Sequence, residues 1–450
     1  MQTQVLNALA QRLSGRLLQS GDAAFETARQ VWNAAIDTRP RAIAQCASLE
    51  DVTQVVRAAA DGGTRVTVRG GGHNVAGRCL ARDAWLIDLS RMRQVVVRPD
   101  ERLVAVQGGA LWRDVDGATA VHGLATTGGL VSSTGVGGFT LGGGTGWLMR
   151  RHGLACDNLR AATVVVADGR CLRATPVEHE ELFWLLRGGG GGAGVVTSFE
   201  YSLHPVNQVL GGLVAYPAQQ AAHVLRVFRD FAEQAPEPFC GMAVLIHAPP
   251  LPFLDVAWHG RPVLMLAGCW CGDLEAGQAA LRPLREIGRP LADVFGPMPY
   301  AGLQQMFDAG APPGRHQYWK TLSFDALDDR VLDQLAAAAD NLPTRETEIH
   351  VQHLGGAVRR VAPMTTAYAT RHAGFFVNLI GVTSAVTEFA QLRERVQALH
   401  RQLAPTALGA HQTNFSSDHE ESRTVWPAAI AQRLTEIRRR YDPADMFAPA

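Results

Sequence analysis

Arg69-Gly70-Gly71-Gly72-His73-Asn74 follows directly on Thr64-Arg65-Val66-Thr67-Val68, a run that alternates polar and apolar residues and is rich in β-branched side chains. The alternation predicts a half-buried strand. Three successive glycines then let the backbone adopt positive φ and bring a row of N–H groups close to a ligand. Such a concave row is an anion site, and Arg69 at its edge adds a fixed charge. His73 stands at the exit, within reach of whatever the anion carries. Taken alone, the stretch also reads as a plain turn.

A second glycine cluster changes that reading. Residues 127–147, TGGLVSSTGVGGFTLGGGTGW, are too glycine-rich for a packed helix or strand. They predict a long loop whose backbone lies against something flat or extended, with Ser132, Ser133 and Thr134 as small donors. No G-x-G-x-x-G opens a helix after a strand with an acidic residue some twenty positions on, and no Gly-Lys-Ser/Thr is present. The dinucleotide fingerprint and the Walker loop are therefore both excluded. A third run, Gly188 to Gly192, leads through Gly194 into the strand Val195-Val196-Thr197-Ser198-Phe199-Glu200.

The rest of the composition is that of an ordinary globular chain. At 450 residues, 47% hydrophobic and 19% charged, it has length for two or three domains and ample core. Zero formal net charge argues against nucleic acid or an anionic membrane as the main partner. The 46 glycines are clustered, so they report on particular loops. Seven scattered cysteines do not form a disulfide pattern. Cys269 and Cys271, flanking Trp270 on one strand, read as a metal pair or as two buried thiols. The start of the chain has no secretory pattern, and no apolar run approaches the ~18 residues of a membrane span. A soluble cytoplasmic protein is the expectation; a homodimer stays open.

Along the chain, Leu6, Leu9, Leu13 and Leu17 predict one amphipathic helix over the first 20 residues. Ser48 and Asp51 open a helix over 49–61, and Gly62-Gly63 close it. Strands are predicted around 85–89, 94–97 and 103–107, a helix over 111–122, and a hairpin about Asp168-Gly169. The mixture is α+β. From about Pro205 the texture changes to strands such as 240–247, 263–271, 347–353 and 374–379, alternating with helices at 218–232, 275–286, 331–340 and 386–403. That pattern suits an antiparallel sheet with helices on one face. A last helix spans 427–441.

The three glycine motifs in this order, with Asn414-Phe415 and Arg440-Tyr441-Asp442-Pro443 near the end, resemble one family. It is the FAD-linked oxidoreductases of the vanillyl-alcohol oxidase and berberine bridge enzyme type, in particular the bacterial members similar to 6-hydroxynicotine oxidase. The resemblance covers nearly the whole chain and implies a two-lobed α+β fold. Residues 1–205 would form the FAD-binding domain, 206–404 an antiparallel-sheet substrate domain, and 405–450 a segment returning to the first. The change of texture at Pro205 and the separate last helix agree with that division.

The expected FAD contacts are Arg69, Gly70, Gly71, Gly72, Asn74 and Gly77 in the first motif. Val131, Thr134, Gly135, Gly138 and Gly142 follow in the second, then Gly194, Val196 and Asn414. The resemblance also implies that His73 is bonded to the flavin 8α methyl carbon; the alternative is a histidine that merely caps the loop. Many relatives carry a second attachment through a cysteine, at the position where this chain has Val131, so FAD is expected to be attached once. Gly192-Ala193 replaces the Asn-Phe common in relatives.

Removing hydride requires the donor carbon near flavin N5 and a base for the adjoining O–H or N–H. Relatives often supply a tyrosine two positions before the asparagine of the closing motif. Here that position is Gln412, which is no base. The substrate half offers Tyr318-Trp319-Lys320, His353, Asn378 and His411. Lys320 is the only lysine among 42 basic residues and shares a strand face with Tyr318. It is expected to face the substrate as a polarising group or base, or else to be an ordinary surface lysine. For His353 the reading as a buried, hydrogen-bonded histidine comes ahead of a catalytic one. The leading expectation is an oxidase acting on an alcohol, amine or phenolic small molecule, with dioxygen as acceptor. The other readings are a secondary-metabolite tailoring enzyme forming a ring or C–C bond, and an FAD-binding protein that has lost turnover.

Overall fold

The computed structural model describes residues 2–409, 412–418 and 426–447. Its β-branched runs pair into an N-terminal four-stranded sheet, a five-stranded sheet and a large eight-stranded sheet. The first sheet comprises β1 (Arg16–Gln19), β2 (Ala42–Gln45), β3 (Arg65–Arg69) and β4 (Ala84–Asp88), in the order β1-β2-β4-β3. Its pairs β2–β4 and β3–β4 are parallel. The helix Leu49–Asp61 makes the crossover; Ser48 caps it by accepting the Asp51 N–H.

The second sheet contains β5 (Val95–Arg98) and β6 (Leu103–Gln107), and, beyond the short β7 (Leu124–Ala125), β8 (Leu159–Val165), β9 (Cys171–Ala174) and β10 (Val195–Ser202). The β8–β9 hairpin turns at Gly169 with φ +76°, as expected for Asp-Gly. β11 (His204–Pro205) pairs with β7.

The large sheet is antiparallel throughout. Its strands are β12 (Gln208–Pro217), β13 (Phe239–His247), β14 (Pro262–Trp270), β15 (Ala292–Asp293), β16 (Gly296–Pro299), β17 (His316–Phe324), β18 (Glu348–His353) and β19 (Phe375–Thr383). The order is β15-β12-β14-β13-β18-β19-β17, with β16 also on β12. One face packs under helices Ala221–Gln234, Asp329–Ala339 and Phe389–Leu403, through Phe228, Leu335 and Val396 among others. Each such side chain contributes about 1.5–3 kcal/mol on burial. The opposite face meets the glycine-loop region, where Met242, Met265 and Phe376 pack with Trp147 and Leu148. Both faces are thus covered, so the strands carry apolar residues on both sides.

Two expectations are corrected. The first 20 residues are not one helix: a helix covers Gln2–Ala10, and Arg16–Gln19 is a strand. The break falls at Ser14-Gly15, whose N–H groups both donate to the Asp51 carboxylate. The second glycine cluster is not all loop, because Val136–Leu141 forms a short helix. Tertiary contact overrides its poor propensity: the Val136 N–H donates to the Ala110 carbonyl, and the glycines admit close backbone neighbours. Among the described residues no helix is long and apolar enough to cross a membrane.

Candidate active site

The three glycine motifs converge on one elongated cavity of about 1190 Å³. β3 delivers the first motif and the helix Val136–Leu141 carries the second. They touch backbone to backbone: a Cβ on Gly71 would lie 2.6 Å from the Gly135 nitrogen, and one on Gly135 would lie 2.3 Å from the Gly71 nitrogen. Only glycine permits that approach. Gly142 is equally confined, since a Cβ there would lie 2.1 Å from the Asn414 Oδ1. Asn414 in turn donates its Nδ2 to the Phe139 carbonyl over 3.0 Å, tying the closing segment to the second motif. The third motif is pinned by Arg438, which donates to the carbonyls of Gly189 at 2.8 Å and Gly191 at 3.1 Å.

Gly70, Gly71, Gly72, His73, Asn74, Val131, Thr134, Gly135, Gly138, Gly142, Gly194, Val196 and Asn414 all line this cavity. Arg69 and Gly77 do not, against expectation. The Arg69 guanidinium is spent on the fully buried Asp88 carboxylate, with bonds of 2.6 and 3.2 Å, and on the carbonyls of Ala28 and Gln30. It braces the sheet and does not reach the ligand space. Gly77, at φ +67°, serves the turn closed by its N–H on the Asn74 carbonyl; a Cβ would strike Ile36 at 2.6 Å.

His73 is part of the cavity wall. Its imidazole stacks on the Trp32 indole with ring centroids 4.2 Å apart and planes 17° from parallel. Burial pushes its pKa down to about 4, so the ring is neutral at ordinary pH. Its Nε2 is buried with no hydrogen-bond partner among the described residues. Arg78, which sequence reasoning missed, also lines the cavity with Nε and Nη2 buried and unpartnered among the described residues. Burial works against its charge, yet a guanidinium does not give up its proton. A buried cation without a carboxylate wants an anion.

The end of the cavity beyond His73 is walled by the large sheet. Gln317 and Trp319 of β17, Glu348 and His350 of β18, and Asn378, Ile380 and Val382 of β19 face it. The Trp319 ring stacks with Phe415, centroids 6.1 Å apart. The His350 Nε2 lies 2.7 Å from the Glu348 Oε2. His350 is the cross-strand partner of Asn378, whose Oδ1 is buried and unpartnered among the described residues.

Of the four expected catalytic residues, only Asn378 reaches this wall. Tyr318 and Lys320 project to the helix-covered face, because side chains alternate and Gln317 and Trp319 take the cavity side. There Asp418 accepts from the Tyr318 hydroxyl at 2.7 Å and from the Lys320 ammonium at 2.9 Å. Burial raises the Tyr318 pKa far above the ordinary phenol value. His353 has the parity of Ile349 and Val351, turns away from the cavity and packs near Phe375, its pKa held well below 6.5 by burial. Gln412 also points away, accepting from the Tyr368 hydroxyl at 2.8 Å and donating to Thr370. His411 lies outside the described residues. Glu348 and His350 were missed, although strand parity alone separates them from His353.

Residues 40–175 match the FAD binding domain family. The chain is 25% identical over 451 residues to an FAD-linked oxidoreductase of Dictyostelium discoideum, covering 99% of this chain and 96% of that protein. It is 25% identical over 452 residues to (R)-6-hydroxynicotine oxidase of Paenarthrobacter nicotinovorans, covering 97% and 95%. This chain is an FAD-dependent oxidoreductase. Its two-domain α+β fold is shared with berberine bridge enzyme-like proteins: the structure of BBE-like 1 from Physcomitrella patens superposes with a TM-score of 0.88 at 18% identity, over 98% of this chain and 97% of that one. The cavity suits FAD on its own evidence. The touching glycine loops leave room for a flat or extended ligand, and Arg78, with two guanidinium nitrogens unpartnered among the described residues, suits a diphosphate.

Proposed function

We propose that this oxidoreductase is an oxidase that takes hydride from a C–H bond of an alcohol, amine or phenolic small molecule and passes the electrons to dioxygen. On this reading residues 1–205 and 405–450 bind FAD and residues 206–404 supply the substrate wall. The cavity-lining members of the three glycine motifs, with Val131, Val196 and Asn414, would hold the cofactor. His73 would bond to its 8α carbon. Val131 in place of a second cysteine leaves that attachment single. All seven cysteines are unpaired, which suits a reducing compartment, and we place the enzyme in the cytoplasm.

Bound FAD supplies the hydride acceptor, nitrogen N5 of its flavin ring. The observation that carries the substrate side is the His350–Glu348 pair on the cavity wall. A neutral imidazole that donates Nε2–H to Glu348 keeps its lone pair on Nδ1. His350 then takes the O–H or N–H proton at Nδ1 as hydride leaves the adjoining carbon, and the Glu348 carboxylate stabilises the imidazolium. Asn378 offers an acceptor beside it, and Trp319 with Phe415 forms an aromatic wall for a flat substrate.

The test is a panel of benzyl alcohol, vanillyl alcohol, benzylamine and 6-hydroxynicotine, mixed with the purified yellow protein. Bleaching under anaerobic conditions and peroxide release in air support an oxidase. Bleaching that only artificial acceptors reverse points to a dehydrogenase and contradicts the dioxygen step. No bleaching by any member contradicts the stated substrate classes.

A further inference from the structure

We propose that Trp32 is the positioning residue for the His73 tether, its indole holding the imidazole in the plane from which the bond to the flavin 8α carbon forms. The proposal rests on the covalent reading above. It goes further in assigning a role to a residue outside all three glycine motifs.

The near-parallel stack, with centroids 4.2 Å apart, leaves the imidazole unable to turn its face without displacing the indole. The indole is itself fixed. Trp32 is 7% exposed. Its Nε1 donates to the Ala311 carbonyl over 3.1 Å, its main-chain N–H donates to the Gly72 carbonyl over 3.1 Å, and its carbonyl accepts the Gly314 N–H over 3.1 Å. Trp319 meets its edge at 5.7 Å. Gly72 immediately precedes His73, so the same residue holds both the histidine's main chain and its ring.

Two of the anchors, Ala311 and Gly314, belong to the segment that leads into β17. That segment is clamped onto the second glycine motif: the Asp308 carboxylate accepts the Ser132 N–H at 2.8 Å and the Ser132 hydroxyl at 2.6 Å. A continuous line of contacts therefore runs from Ser132 through Asp308 and Ala311 to Trp32 and His73. The ring is set by the substrate-side wall as well as by its own loop.

The chemistry makes orientation matter. The imidazole N–H and one C–H of the 8α methyl give way to a C–N bond. The two protons and two electrons released pass to the ring system and then to dioxygen as hydrogen peroxide. A nitrogen held in line with its target carbon reacts far faster than one on a freely turning ring. An indole packed on one face also keeps water from the neutral imidazole.

The experiment needs FAD alone as ligand. Apoprotein of wild type, H73A, W32L and W32F is mixed with saturating FAD in air and quenched in acid at intervals. The flavin in the precipitate is compared with that in the supernatant. Saturation separates bond formation from cofactor binding. W32L is expected to tether FAD at least about tenfold more slowly than wild type, and W32F, which keeps an aromatic face, within about threefold of it. W32M takes the place of W32L if the latter does not fold. Tethering at the wild-type rate by W32L or W32M overturns the proposal, as does an equal loss in W32F. If wild type itself releases all its flavin into acid, the covalent reading fails first, and this proposal falls with it.

Discussion

The His350 imidazole and the Glu348 carboxylate lie 2.7 Å apart on the face of β18 that looks into the cavity, while His353 three residues on faces the opposite way. Replacing His350 by glutamine keeps a polar group of similar size but removes the proton acceptor. With whichever panel compound bleaches wild type, H350Q is expected to slow the anaerobic bleaching step by about 10²–10⁴-fold. FAD content should stay the same. Stopped-flow absorbance of the flavin checks both, and E348Q should show a smaller loss of the same step.

Arg78 lines the cavity, and two of its guanidinium nitrogens are buried without a hydrogen-bond partner among the described residues. In an H73A background, where only non-covalent binding remains, R78M is expected to weaken FAD binding by about 10- to 100-fold, the worth of one or two charge-assisted hydrogen bonds. A fluorescence-quenching titration measures it. Unchanged affinity would mean that the guanidinium does not touch the cofactor.

Arg69 behaves differently although it borders the same loop. Its partner Asp88 is fully buried, so R69M strands a carboxylate. The expected loss is about 3–5 kcal/mol of stability. Urea unfolding of apoprotein checks this, with R78M as the comparison that should lose much less.

The first motif was legible because its chemistry is steric. Gly71 and Gly135 occupy positions that no Cβ fits, so their order along the chain reports the fold without any alignment of the rest. Ser48 and the Asp168-Gly169 turn were legible for similarly local reasons. The cavity wall on the large sheet was not. On β17, period two says that Trp319 and Lys320 face opposite ways, but both faces of this sheet are covered, and burial alone does not tell which one meets the cavity. The single lysine drew attention by its rarity; its place beside Asp418 explains it as a buried ion pair. Trp32 and Arg78 gave no signal, since each matters only through a ring or a space contributed by distant segments. The helix Val136–Leu141 was unreadable because part of its support, the bond from the Val136 N–H to the Ala110 carbonyl, comes from a distant segment.

The depressed pKa of His73 makes a signed claim about pH. Its folded value, about 4, lies below the ordinary 6.5, so the unfolded chain takes up this proton first as pH falls. The stability that a neutral His73 contributes to the apoprotein is present above pH 6.5 and is lost as pH falls toward 4. Urea midpoints of wild-type and H73N apoprotein are expected to run parallel above pH 7. Between pH 6.5 and 4 the wild type should fall more steeply. Parallel curves throughout would contradict a buried neutral imidazole.

The intact mass of the purified yellow protein tests the central claim most directly. Wild type is expected to carry the mass of one FAD less two hydrogens, and H73A, still yellow before denaturation, none. A wild-type chain at its bare polypeptide mass, or an H73A chain that keeps the added mass, would contradict a single tether at His73.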